Sequence, residues 1–281
     1  MSVKPASVLP PPPSKSVLND LDESITDIST RNNIQTEIVE PSVTTVNVAV
    51  PKKRIVISVP GEKFSYNFLM SWTVALHSIW ESGKYELVIS PGTSTFLPFA
   101  RLQTLGVDVK RGINQKPFNG TLDYFAYITI DPNIIFNAQS ILELLKALEV
   151  QPVVSGFYSL PDGKSFSAAK TFDSQYFATN GGLKCLNTED MKEYKESNPE
   201  NPFMSVAYTG LGFFGCRKEV LDALQYPYFH APLQRIFNEE GLEMVDLCSD
   251  DVAFCKSIQN AGYTIHLHTG LRIGSELSVI I

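Results

Sequence analysis

Apolar residues in this chain fall into short, nearly continuous runs separated by stretches of helical spacing. That alternation predicts strands and helices in turn. KKRIVISVPG places a buried strand over Arg54 to Val59, closed by a Pro-Gly turn. From Ser65 to Ser82, Phe68, Leu69, Trp72, Leu76, Ile79 and Trp80 recur at helical spacing, and Gly83 suits the helix end. Trp72 and Trp80 fall near one face, so both are expected to pack against the sheet. A second strand follows over Tyr85 to Ser90, a short helix over Phe96 to Leu105, and a third strand over Val107 to Lys110. FAYITI, Phe125 to Ile130, is another strand, and Asn137 is placed to cap a helix from Ala138 to Glu149. Val153 to Tyr158 reads as a strand, with Ser165 to Ala169 returning as its hairpin partner across a turn at 160–164.

The pattern then fades and recovers. Thr171 to Pro202 is polar and reads as an irregular excursion or lid. Ser205 to Gly215 is rich in glycine and aromatics, and Arg217 to Leu224 forms a short helix. Ser249 caps a helix running to about Asn260, and Tyr263 to His268 is a late strand. Strand–helix alternation with near-continuous apolar strands predicts an α/β fold, a mostly parallel central sheet flanked by helices. Residues 1–45 lie outside that pattern. They carry no aromatic residue and hold four consecutive prolines at 10–13, so they read as a disordered arm before a single domain at 46–281.

Composition narrows the classes. Hydrophobic residues make up 43% of 281, ample for a buried core. The net charge of −7 argues against a nucleic-acid partner, because neutralising phosphates needs a basic surface. No run of eighteen apolar residues suggests a membrane span, and the first residues lack the apolar centre of a signal peptide. The four cysteines, Cys185, Cys216, Cys248 and Cys255, form no CxxC pair, so reduced thiols in a cytoplasmic protein are the plain expectation. Oligomeric state is not legible.

Neither a Gly-x-Gly-x-x-Gly after the first strand nor a P-loop is present. Open α/β sheets bind ligands beyond the carboxyl ends of their strands, which nominates Pro60, Gly61, Ser90 and Asp131. Asp131, with Asn133 two residues on, suits a metal–diphosphate site, since carboxylate oxygens neutralise the cation. Asp250 and Asp251 either stabilise the first turn of their helix or supply a general base for an acceptor hydroxyl. His266 and His268 point the same way along a strand, but no third ligand of matching spacing accompanies them.

Four segments together resemble a known family: RIVISVPG at 54–61, YITIDPNIIF at 127–136, YTGLGFFGCRKEVLDALQYPYF at 208–229 and SDDVAFCKSIQNAGYTIHLHTGLRIGS at 249–275. In order and spacing, and with QPVVSGFY at 151–158, they are similar to family 2-type glycosyltransferases of the GT-A fold. The likeness runs towards the small glycosyltransferase-like proteins of large viruses, phages and marine microbes. The resemblance implies a nucleotide-sugar donor, a glycan or other hydroxyl acceptor and a divalent metal, Mn²⁺ or Mg²⁺, on an acidic motif that appears here as Asp131 and Asn133. It implies that Gly210 and Gly212 shape the donor-sugar wall. It also makes Asp251, beside Asp250, the base of an inverting transfer. The family's late metal-binding histidine is matched by Ser275, so two metal positions depart from the pattern together. Two functions follow: sugar transfer, or a non-catalytic glycosyltransferase-like binding or assembly protein with a degenerate metal site.

Overall fold

Strand β1 (Lys53–Pro60) is buried from Ile55 onward. The computed structural model describes residues 51–277 apart from Glu239, so the arm expected over 1–45 lies outside the described residues. Along β1, Ile55 and Ile57 pack into one apolar cluster and Val56 into another, which is why the run is continuous rather than alternating. Gly61 then turns the chain at φ 148°, and a Cβ there would meet Pro132 Cγ at 2.9 Å. Helix α1 (Tyr66–Glu81) starts where Ser65 Oγ accepts from the Phe68 amide, and it buries Phe68, Ala75 and Ile79. Trp72 stacks on Phe68, but Trp80 is 62% exposed, against the expectation that both tryptophans are core. One residue past Ile79 is a rotation of about 100°, enough to carry Trp80 off the buried stripe.

Strand β2 (Tyr85–Gly92) pairs with β1 in parallel, and helix α2 (Leu97–Thr104) packs behind them. No strand follows at 107–110. Asp108 accepts from the Lys110 amide and closes a 3₁₀ turn over Val109–Arg111, because that short run has no buried face to pair. Strand β3 (Ala126–Ile130), the two-residue β4 (Ile134–Ile135), helix α3 (Ala138–Val150) capped by Asn137, and β5 (Val153–Phe157) follow. The turn at 160–164 is closed by Leu160 N–H to Ser165 O, after which β6 (Ala168–Ala169) leaves for another partner.

The polar stretch expected to be irregular holds α4 (Ser174–Asn180) and α5 (Thr188–Ser197). Asp173 caps the first, and an Asn187–Asp190 capping box starts the second. Only Met191 of these two helices is buried, which is why apolar periodicity does not announce them. Strands β7 (Phe203–Val206), β8 (Tyr208–Thr209) and β9 (Phe213–Arg217) lead to helix α6 (Lys218–Ala223). An unforeseen antiparallel hairpin, β10 (Leu233–Phe237) and β11 (Glu243–Leu247), precedes helix α7 (Asp250–Asn260), β12 (Ile265–Arg272) and β13 (Gly274–Ser275).

The central sheet has seven strands in the order β2-β1-β3-β9-β5-β12-β7. It is mixed, not mostly parallel: β2–β1, β1–β3 and β5–β12 are parallel, while β3–β9, β9–β5 and β12–β7 are antiparallel. Strands β9 and β7 are the cause, since β9 enters against the flow between β3 and β5 and β7 runs against β12 at the edge, and an apolar run carries no mark of direction. The fold is therefore an α/β unit with a mixed sheet flanked by helices. No helix among the described residues is long and apolar enough to cross a membrane.

Candidate functional site

The carboxyl ends of β1 and β3 meet the start of α7, and an arginine joins them. Arg101, on the sheet-facing side of α2, is 3% exposed, and its Nη2 donates to Asp131 Oδ2 at 3.0 Å. Its Nε donates to Asp250 Oδ2, also at 3.0 Å, and Nη1 reaches Thr129 Oγ1 at 3.4 Å. Burial works against the guanidinium charge, but the Asp131 and Asp250 carboxylates outweigh it and hold the group above its ordinary pKa. Asp250 shifts upward too: burial is the main cause and its neighbour Asp251 adds to it, while Arg101 opposes both.

Local packing explains how α2 delivers this side chain. Ser90 Oγ donates to the Thr104 carbonyl at 2.8 Å, so this residue ties β2 to the end of α2. Gly92 lies so close to the Ala100 carbonyl that no Cβ fits between them. Thr104 Oγ1 shares a 2.7 Å hydrogen bond with the Tyr127 hydroxyl on β3. Pro60 and Gly61 end β1 beside Pro132, next to Asp131. Asp131 itself is fixed through its backbone N–H, which donates to Gly212 O at 2.9 Å.

The second acid of the pair at α7 has a separate set of partners. Asp251 Oδ2 accepts from the Tyr208 hydroxyl at 2.7 Å, and Oδ1 accepts from the Val252 amide at 2.8 Å and from Ser249 Oγ. Ser249 stands at the N-cap position with extended backbone, but its side chain makes no cap bond and serves Asp251 instead. Gly210 and Gly212 make room for Tyr158: a Cβ on Gly212 would meet its Cε1 at 2.7 Å, and one on Gly210 would overlap its hydroxyl. Burial, then the charges of Asp131 and Asp251, push the Tyr158 pKa up, so its hydroxyl stays protonated between the two acids. Tyr208 shifts the same way, by burial and by Asp251.

The structure thus brings Asp131, Asp250, Asp251, Gly210 and Gly212 to one edge of the sheet. Asn133 and Ser275 also meet, with Asn133 Nδ2 donating to Ser275 Oγ at 3.2 Å. Sequence reasoning missed Arg101, Tyr158 and Tyr208. A signal existed for the first: Arg101 is the one charged residue in FLPFARLQTL, one turn after Leu97 and beside Ala100.

The donors present do not fit a resident divalent cation. Asp131 Oδ1 is buried without a partner and could ligate. Its other oxygen and Asp250 Oδ2 are already engaged by Arg101, and both oxygens of Asp251 accept from Tyr208, Val252 and Ser249. Glu276, beside Asn133, accepts from Asn67, and Asn133 and Ser275 are neutral. Among the described residues no group of three or more His, Cys, Asp or Glu side chains could hold a metal. Two aspartates that share one guanidinium fall short of the free charge that Mg²⁺ or Mn²⁺ sites use.

No family model and no curated protein matches the chain. Solved structures do. A197 from STIV aligns at 14% identity with a TM-score of 0.40, covering 81% of this chain and 96% of that one. The 4-diphosphocytidyl-2C-methyl-D-erythritolsynthase from Anaerococcus prevotii DSM 20548 aligns at 11% identity and a TM-score of 0.37, over 82% of this chain and 91% of the other. GalNAc-T7, solved with UDP, GalNAc and Mn²⁺, aligns at 10% identity and a TM-score of 0.39, covering 81% of this chain and 43% of its own. Likenesses this distant carry no argument about activity.

Proposed function

We propose that this chain is a glycosyltransferase-like binding protein that takes a sugar-bearing ligand, a nucleotide-sugar or glycan, without a resident divalent metal. One observation carries the reading: the Arg101 guanidinium holds Asp131 and Asp250, the acids that would otherwise face a cation. Around that core stand hydroxyl and amide groups, from Tyr158, Tyr208, Asn133 and Ser275, that suit sugar hydroxyls. Calorimetry with UDP-, GDP- and dTDP-sugars, each in Mn²⁺ and in EDTA, tests it. At least one donor should bind with an affinity the chelator leaves unchanged, and no sugar should reach an acceptor. Binding that appears only with Mn²⁺ overturns the reading.

A specific observation favours transfer as the second reading. Asp251 is oriented by Tyr208 and Ser249 at the same edge, as an acceptor base needs to be. On that reading Asp251 takes the acceptor hydroxyl's proton, Asp250 holds Arg101, and Asp131 with Asn133 faces the diphosphate. Asp251→Asn should then keep donor binding while product formation falls by about a hundredfold. Absence of product from the wild-type chain across the donor panel removes this second reading and leaves the first.

A further inference from the structure

Away from that edge, strand β12 leaves its partner and comes back. Its residues pair with β5 at Leu267–Ser155 and again at Arg272–Phe157, so 268–271 bulge out opposite Gly156 alone. The bulge forms one wall of a cavity of about 420 Å³, with α5 as the other wall. Buried Phe157, Phe166 and Met191 line its floor. Lys192, Lys195 and Arg272 stand around it against one carboxylate, Glu196, which pairs with Lys192 at 3.8 Å. Among the described residues Lys195 and Arg272 have no carboxylate partner, and the Arg272 guanidinium lies 5.4 Å from the centre of the Phe166 ring. On a chain of net charge −7 this local surplus of cations is not the general character of the surface.

We infer that this cavity is a second binding site, for a small amphipathic anion whose apolar body lies on Phe157, Phe166 and Met191 and whose carboxylate or sulfonate meets Lys195 and Arg272. Its volume falls within the range of about 300–1,000 Å³ usual for small-molecule pockets. An apolar floor gives affinity, while two unpaired cations at the rim select sign and orientation. Arg272 suits the role because a guanidinium that lies over a ring at 5.4 Å can still present its N–H fork to an anion.

The test uses the full chain and the fluorescent anion 1-anilinonaphthalene-8-sulfonate at low salt. Sodium octanoate should displace the probe, whereas octanol, with the same body and no charge, should not. The Lys195→Ala, Arg272→Ala double variant should bind probe and octanoate about tenfold more weakly, the loss expected for two solvent-exposed ion pairs. Both side chains are exposed, so its thermal midpoint should match the wild type. Displacement by octanol as effective as by octanoate, or an unchanged affinity in the double variant, overturns the assignment.

Discussion

Arg101 sets the terms at the scale of single residues. A charge only 3% exposed survives in a fold because carboxylates just past β3 and at the start of α7 face it, themselves 17% and 16% exposed. Arg101→Met should leave Asp131 and Asp250 buried and mutually repelling, lowering stability in urea unfolding by about 3–5 kcal/mol. Arg101→Lys keeps the charge without the planar fork, so it should recover only part of the loss. A Met variant as stable as the wild type would mean that the carboxylates find water and that the arginine is dispensable. The acids of this cluster were legible in the sequence, because an aspartate after an apolar strand or in a helix's first turn has a reason to be there. Their partners were not. Arg101 finds Asp250 across 149 residues, and Tyr208 finds Asp251 across 43, separations no local pattern encodes.

At the scale of elements, α2 is the part that places the arginine, and β2 is what seats α2. Gly92 is the point of closest approach: an added Cβ would collide with the Ala100 carbonyl and meet Thr104 Cγ2 at 2.7 Å. Backbone cannot turn aside as a side chain can, so Gly92→Ala should push α2 off its seat. We expect about 1–3 kcal/mol of lost stability, as for an overpacked core, and a weaker response of the site to ligand. Differential unfolding against Gly182→Ala, at a position with open space around it and no positive φ, separates crowding from the general effect of losing a glycine. Elements with a buried face, such as β1, α1, β3, α3 and α7, were readable because burial imposes periodicity. Helices α4 and α5 were not, since they are held by end caps and present polar surface. The β10–β11 hairpin was missed because Leu233, Phe237 and Val245 face solvent and outline no core.

For the whole molecule, the alternation of strand and helix was enough to give an α/β unit, but not the direction of β9 or β7, which only pairing decides. Stability should also vary with pH in a direction fixed by β12. His266 and His268 both have lowered pKa values, chiefly by burial; around His268, Glu143 opposes the shift while Lys146 and Lys195 support it. Groups lowered in the folded state take up protons more readily when unfolded, so stability should fall as pH drops below about 6.5 toward the folded values. Asp250, shifted upward, acts in the opposite sense at lower, carboxylate pH. Urea midpoints at pH 7.5 and 5.5 should differ in the wild type and converge in a His266→Gln, His268→Gln variant; an equal difference in both would place the effect elsewhere. The sheet order bears on biosynthesis as well. Strands β3 and β5 leave the ribosome long before β9, and each waits with an open edge for residues 213–217 to slot between them. Asp250 arrives later still. A polypeptide cut short before residue 213 would therefore display open edges on both β3 and β5 and a half-neutralised arginine, the marks by which quality control and aggregation both recognise unfinished protein.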